Sequence, residues 1–241
     1  MSAPDPGVLE AAFAATWPAA ARQRLGRFVL QQSPGGGRRV TAAGLIGDGA
    51  GADEIDAAMA RMRDWGQVPR FRVRADQARL DAALAARGLE VAAPSQILAA
   101  PVAALRAIEV PRLSAFEIWP PLAIMTEIWE DGGIGPDRCA VMARTAGART
   151  ALFGRLGDRP AAAAFLAASG PVAMLHALEV RPGLRRGGAG RRLVGYAARW
   201  AAGRGCRHLA VAVEAADADA RAFYAALGMA ETGRYHYREC Q

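Results

Sequence analysis

The stretch Leu178 to Gly190, LEVRPGLRRGGAG, constrains this chain more than any other, because it demands a strand, a turn and a helix start in immediate succession. The apolar run Pro171 to Val180 (PVAMLHALEV) reads as a strand, Pro182 and Gly183 break it, and helical periodicity runs from Gly190 to Gly203. Between them lies Arg185-Arg186-Gly187-Gly188-Ala189-Gly190. Glycines let backbone N–H groups converge on an anion without a Cβ in the way, and the first turn of a helix leaves its N–H groups unpaired. Each charge-assisted hydrogen bond to such an anion contributes ~1.5–3 kcal/mol, against ~0.3–1 kcal/mol from the helix dipole. Backbone geometry therefore dominates and the arginines assist. The stretch predicts a cradle for a pyrophosphate.

A chain of 241 residues can bury a substantial core as one large domain or two of ordinary size. Cys139, Cys206 and Cys240 are widely spaced and in no metal-ligand pattern, so a reducing, cytoplasmic setting and no metal are expected. The N-terminal segment begins acidic, is broken by prolines, and has no apolar run near the ~20 residues of a membrane span. Neither a leader nor a membrane partner is expected. The net charge of +7 ordinarily raises nucleic acid as a partner. Here every one of the 30 basic residues is arginine, scattered and without interleaved aromatics, which argues against a nucleic-acid surface. Steering of a polyanionic cofactor fits the charge equally well.

The chain reads as two halves, 1–110 and 111–241, joined by the segment Pro101 to Pro111. The first opens with a helix over Val8 to Ala21 and a hairpin of Arg27 to Gln32 and Arg39 to Ile46 around Ser33-Pro34-Gly35-Gly36-Gly37. Helix Asp53 to Trp65, strand Arg70 to Arg74, helix Asp76 to Arg87 and a strand near Ser95 to Ala99 follow. In the second half, helices at Leu122 to Trp129 and Pro136 to Arg144 precede strands at Thr150 to Arg155, Ala161 to Ala168 and Val172 to Val180. Helix Gly190 to Gly203, strand His208 to Val213, helix Asp217 to Leu227 and strand Thr232 to Arg238 close the chain. The fold class is α/β of the α+β type, a mixed, mostly antiparallel twisted sheet covered by helices. Laying Gly88 on Gly228 aligns LDAALAARGLE with AFYAALGMAE, helix on helix and turn on turn, as in a tandem duplication. The copies differ where chemistry would sit. Leu84 takes the place of Tyr224, and GDGAGADE (Gly47 to Glu54) carries three acids and no arginine, which repel a pyrophosphate. The first half keeps the scaffold without the cofactor site.

With these blocks in order, residues from about Leu113 to Gln241 resemble the GNAT superfamily of N-acetyltransferases, and the first half does so more faintly. Arg185, Gly188 and Gly190 match its Gln/Arg-x-x-Gly-x-Gly/Ala block. Asp217, Ala220, Tyr224, Leu227, Gly228 and Met229 meet its Asn-x-x-Ala-x-x-x-Tyr helix running into Leu-Gly-Phe, with Asp217 for asparagine and Met229 for the aromatic. The resemblance implies acetyl-coenzyme A between two splayed strands, its pyrophosphate on the N–H groups of Arg186, Gly187, Gly188, Ala189 and Gly190, with Arg185 and Arg191 beside it. It also implies pantetheine paired with the main chain of Leu178 and Val180 and reaching Asp217 and Ala220. Tyr224 would then protonate the departing thiolate.

His176 is the nearest candidate base, since its unperturbed pKa of ~6.5 suits neutral pH. A buried structural histidine is the equal alternative. Strict alternation puts His176 on one face with Leu178 and Val180 and Glu179 on the other, unless a bulge re-aims it. Trp129, Glu130 and Asp131, beside Trp119, could cradle a cationic amine, or the tryptophans could simply be core. His236, alternating with Tyr235 and Tyr237, is a further candidate for the acceptor side. No cysteine sits well for an acyl-enzyme, so direct attack by a small-molecule or peptide amine is expected. The alternative is a non-enzymatic coenzyme A sensor or interaction module. Oligomeric state stays open, a homodimer included.

Overall fold

The computed structural model describes residues 3–240. In the first half, α1 (Pro6–Ala15) precedes the hairpin β1 (Ala21–Leu25) and β2 (Phe28–Gln32), β3 (Ala43–Leu45), α2 (Ala52–Asp64), β4 (Arg70–Arg74), α3 (Ala78–Ala85) and β5 (Glu90–Pro101). A short helix, α4 (Val102–Leu105), leads to β6 (Ala115–Ile118), α5 (Ala123–Asp131) and α6 (Pro136–Arg144). Then come β7 (Arg149–Leu156), β8 (Arg159–Ser169), β9 (Val172–Val180), α7 (Ala189–Ala202), β10 (His208–Glu214), α8 (Ala218–Ala226) and β11 (Ala230–Glu239). The hairpin turns at Gly26, whose φ of 55° suits glycine, and not at the glycines after Ser33. β3 still pairs antiparallel with β2, but a 3-10 turn at Arg38–Val40 precedes it.

All strands join one sheet in the order β1-β2-β3-β4-β11-β5-β10-β9-β8-β7-β6. Its centre is a reciprocal exchange. β5, the last strand of the first half, lies between β10 and β11, while β11, the last of the second, lies between β4 and β5. The β5–β11 ladder is antiparallel, and Ser95 faces Tyr235, the residue that occupies its place when Gly88 is laid on Gly228. Ala99 faces Ala230 just as Glu239 faces Glu90, which is the same pair turned over. The repeat thus has a local two-fold axis running through Ser95 and Tyr235.

Helices cover both faces. On one, α7 presents Leu193, Val194, Ala197, Ala198 and Ala201, a helical stripe, to Leu152, Leu166, Leu175, Leu209 and Val211. Each fully buried leucine there contributes ~1.5–3 kcal/mol. Gly195 lets α7 approach the linker, since a Cβ there would come within 2.9 Å of the Ile108 side chain. On the other face α5 and α6 bury Met125, Ile128, Trp129, Val141 and Met142 against Phe153 and Phe165. α1 crosses from the first half onto the second, its Leu9, Ala12 and Phe13 packing with Met174, Ala210, Tyr235 and Tyr237. α2 and α3 build a separate core over β2, β3 and β4 around Phe28, Met62, Phe71 and Leu84. Among the described residues no helix is long and apolar enough to cross a membrane.

Exchange of β5 and β11 makes each half supply a strand that the other needs. Fragments 1–110 and 111–241 expressed separately should show no cooperative thermal transition and should regain one when mixed. Two independently cooperative fragments would contradict the exchange as a stabilising device.

Candidate active site

The parallel strands β9 and β10 pair over only three positions, Val172 with His208, Ala173 with Leu209 and Met174 with Ala210. Beyond these they diverge. A bulge in β9 marks the divergence, because His176 faces Phe165 while Glu179 faces Ala163, leaving one extra residue on β9. Ala177 takes φ 51°, a left-handed conformation costing ~1–3 kcal/mol for a residue with a Cβ. The indole Nε1 of Trp129, on α5, donates to the Ala177 carbonyl at 2.8 Å and holds the bulge. Trp129 is completely buried and so is a core residue that shapes β9, not a surface for an amine.

The bulge also breaks strict alternation. Leu178 and Val180 pack with Leu175 on the α7 face, whereas His176 turns to the opposite face, onto Trp17 and Phe165. Glu179 is re-aimed so that its carboxyl lies against Gly132 and accepts from Arg185 at 3.1 Å.

Two cavities occupy the gap. The first, about 560 Å³, runs from Leu178 past the loop of Arg185 to Arg191 to Phe223. Gly188 caps α7 at φ 87° and Arg186 lies at φ 64°, a succession of left-handed residues that turns the loop back onto the helix start. Among the described residues, the N–H groups of Arg186, Gly187, Gly188, Ala189 and Gly190 have no protein acceptor outside the helix. Gly190 is where α7 meets α8 and β9, since a Cβ there would sit 3.3 Å from the Phe223 ring. Unpaired donors in a concave loop suit a polyanion. The arginines divide their work. Arg185 is held by Glu179 and by the Val180 carbonyl at 3.2 Å, so it braces the loop. Arg186 is fully exposed, 3.9 Å from Asp219, a pair that contributes little. Arg191 lines the cavity.

The second cavity, about 460 Å³, lies on the far side and draws on both halves of the chain. Trp17 and the turn Gly36 to Arg39 come from the first half, and His176, Tyr235 and Tyr237 from the second. Leu178, Asp217, Ala220 and Tyr224 line both cavities and form the junction. Asp217 caps α8, its carboxylate accepting from the Ala220 N–H at 2.9 Å. Tyr224 is buried, and its hydroxyl has no hydrogen-bond partner among the described residues. Burial and then the Asp217 charge push its pKa above the usual phenol range, so it stays a proton donor.

His176 is buried and satisfied on both sides. Nε2 lies 3.0 Å from the Thr16 hydroxyl, which donates to the Ala12 carbonyl, and Nδ1 lies 3.3 Å from the Arg39 guanidinium. This pattern assigns the proton to Nε2. Burial and then the Arg39 charge hold its pKa well below the usual histidine range. His236 points away from the cavity and pairs with Asp81 at 2.7 Å; its neighbours Tyr235 and Tyr237 face the cavity instead. Glu130 is exposed on α5, and Asp131 lies 3.6 Å from Arg181, so the acidic cradle expected there does not assemble. Among the described residues no cluster of His, Cys, Asp or Glu is disposed to hold a metal ion.

In the first half, β3 and β4 also pair briefly and diverge, but Gln77 closes the gap. It occupies the position of Asp217 in the repeat, and its buried amide donates to the Leu45 and Gly47 carbonyls at 3.2 and 2.6 Å. Glu54 occupies the helix start and accepts from the Gly51 N–H at 3.0 Å. In the first half, Gln77 thus takes up the carbonyls at the end of β3 and Glu54 takes up an N–H at the start of α2.

The site is a concave loop of unpaired N–H groups opening onto a buried tyrosine, and the family match gives the class, an acyltransferase. The family is specific: residues 115–229 match the model of the Acetyltransferase (GNAT) family, and this segment is a GNAT domain. A GCN5-related N-acetyltransferase from Kribbella flavida is similar at TM-score 0.70 and 15% identity, covering 97% of this chain and 93% of that one. A GCN5-related N-acetyltransferase from Sphaerobacter thermophilus is similar at TM-score 0.59 and 14% identity, covering 90% of this chain and 82% of that one. A tandem GNAT protein from the clavulanic acid biosynthesis pathway is similar at TM-score 0.54 and 15% identity, covering 78% of this chain and 67% of that one. At these identities the likeness is one of fold, and in the first case it spans both halves. Comparison with curated proteins gives no match.

Native His176 is neutral, whereas the unfolded imidazole takes up a proton near pH ~6.5. Below that value the unfolded chain binds more protons, so stability falls as pH drops. Thermal melts from pH ~7.5 down to ~5 should show this decline, and His176→Asn should flatten it. An unchanged slope in the variant would remove His176 as its source.

Proposed function

We propose that this chain is an acetyl-coenzyme A dependent N-acetyltransferase acting by direct attack in a ternary complex, with one working site in the 111–241 half. The 1–110 half is a degenerate copy that forms part of the acceptor cavity. The observation that carries this reading is the position of Tyr224, whose free hydroxyl sits where an anion-binding groove meets a second cavity. Gln77 and Glu54, which satisfy the equivalent gap in the first half, support the assignment of a single site.

The residues fit the donor molecule. The open N–H groups from Arg186 to Gly190 would hold a pyrophosphate, and the diverging β9 edge at Leu178 and Val180 would pair with an amide-bearing arm. Acetyl-coenzyme A supplies an acetyl group activated as a thioester. The acceptor must reach it as a neutral amine, and an alkylammonium of pKa ~10.4 must first lose a proton. Glu214 is the cavity carboxylate not committed to a helix cap, so water at Glu214 takes that proton. The C–N bond forms as the C–S bond breaks. Tyr224 gives its proton to the departing sulfur, and the second proton lost by the amine nitrogen returns through water to the tyrosine, which balances the step. His176 positions the cavity wall in this reading, because both its nitrogens are already engaged.

Tyr224→Phe should lower turnover by roughly 10²–10⁴-fold, the usual reach of one acid–base group, with affinity for coenzyme A kept. Thiol release on a broad amine panel measures this. Binding of coenzyme A with no turnover of any amine by the native chain would favour a sensor over an enzyme. Gly188→Asp should abolish coenzyme A binding in calorimetry, because it adds negative charge at a left-handed position. Gly49→Asp, in the first half, has room beside Arg79 at 3.8 Å and should leave binding intact. Equal losses in the two variants would refute the single-site assignment.

A further inference from the structure

The acceptor cavity holds a half-buried cation with no counter-ion. The guanidinium of Arg39 stacks on Phe13 at 3.5 Å from the ring centre, lies beside His176 Nδ1, and donates to the Phe13 carbonyl. Its Nε is buried and has no hydrogen-bond partner, and Arg39 forms no ion pair among the described residues. The nearest carboxylate-bearing neighbour, Glu10, is already paired with Arg72. Burial lowers the Arg39 pKa to about 10, which leaves it charged at neutral pH. A buried charge is costly unless something of opposite sign meets it.

The surroundings indicate what that partner is. Tyr235 and Tyr237, whose phenols can donate, line the cavity beside Arg39, and Arg138 stands exposed at its rim with no ion pair among the described residues. The two carboxylates of the cavity, Glu214 and Asp217, accompany Tyr224 on β10 and α8. The cavity is therefore polarised, cationic where the Gly36 to Arg39 turn meets α6 and anionic beside the junction. Its volume of about 460 Å³ is toward the lower end of the ~300–1,000 Å³ of small-ligand pockets, too small for a folded partner.

Resting on the acetyltransferase reading, we propose that the acceptor is a small amine that carries a carboxylate, an amino acid or a close relative, with the carboxylate at Arg39 and the amine toward Tyr224. Arg39, supplied by the half without a cofactor site, is then a specificity-determining residue. The degenerate copy is retained in part because it brings this charge.

The test pairs each amino acid of a panel with its primary amide and its decarboxylated amine. Thiol release should favour the carboxylate form by roughly 10–100-fold in kcat/KM, the value of one charge-assisted hydrogen bond. Arg39→Gln should erase that preference, and Arg39→Lys should restore part of it. Because a substitution at half-buried Arg39 can unfold the chain, Arg138→Ala provides a second variant, expected to weaken carboxylate substrates several-fold and to leave decarboxylated amines unchanged. Calorimetry with N-acetyl amino acids and their amides reads the same preference without turnover. Preferential binding of the N-acetyl amino acids with no turnover of any amine would uphold the carboxylate site and overturn the transferase reading. Equal turnover of amino acids and decarboxylated amines would overturn the carboxylate site and leave the transferase intact. Loss of both substrate types alike in Arg39→Gln, Arg39→Lys and Arg138→Ala would also overturn it.

Discussion

Reciprocal insertion of β5 and β11 at the centre of the sheet is the constraint on which the rest of the molecule depends. A central strand satisfies its backbone groups on both edges, and removing one exposes two rows of unpaired N–H and carbonyl groups. Here each half contributes one such strand to the other. The exchange carries Tyr235 and Tyr237 from the C-terminal end into the middle of the chain's sheet. It also brings the first half's α1 and the Gly36 to Arg39 turn over β9. A chain with two copies thus builds the cavity beside Tyr224 from both.

The site proper depends on a local irregularity. One extra residue in β9 separates the face of Leu178 and Val180 from that of His176, and a buried tryptophan on α5 keeps the left-handed Ala177 in place. A hydrogen bond to a buried carbonyl is modest while made, but leaving that carbonyl unpaired costs ~1–3 kcal/mol. That asymmetry makes the bulge stable and keeps β9 and β10 apart. In the first half a glutamine side chain performs the opposite task and ties the equivalent strands together. Asp217 carries a carboxylate, which cannot donate to carbonyls as the Gln77 amide does, and it is occupied capping α8.

Much of the local architecture was legible in the amino-acid sequence. β4, α6 and β9 run over the expected residues, because their periodicity and their flanking prolines and glycines agree. The edge strands β1 and β6 were not. ARQRL and AFEI are short, carry charges and alternate poorly, as edge strands do to avoid pairing with other chains. The site residues follow the same division. The loop from Arg185 to Gly190 and the helix bearing Asp217, Ala220 and Tyr224 form contiguous motifs and occupy the two sides of one groove.

The sequence by itself determined a strand, a glycine-rich loop and a tyrosine-bearing helix in the order of a GNAT domain, because each depends on neighbours within a few residues. Only the tertiary structure decided which faces those elements present. His176 left the face of Leu178 through a bulge that period-two alternation cannot register. Trp129 became core and His236 turned to Asp81, because packing against distant elements selected their side. Arg39 entered the site from 137 residues away, next to His176, through a strand exchange that leaves no mark in local pattern. The cradle at Leu178 to Gly190 was written in the chain, whereas the cavity opposite it was assembled by contacts between the halves.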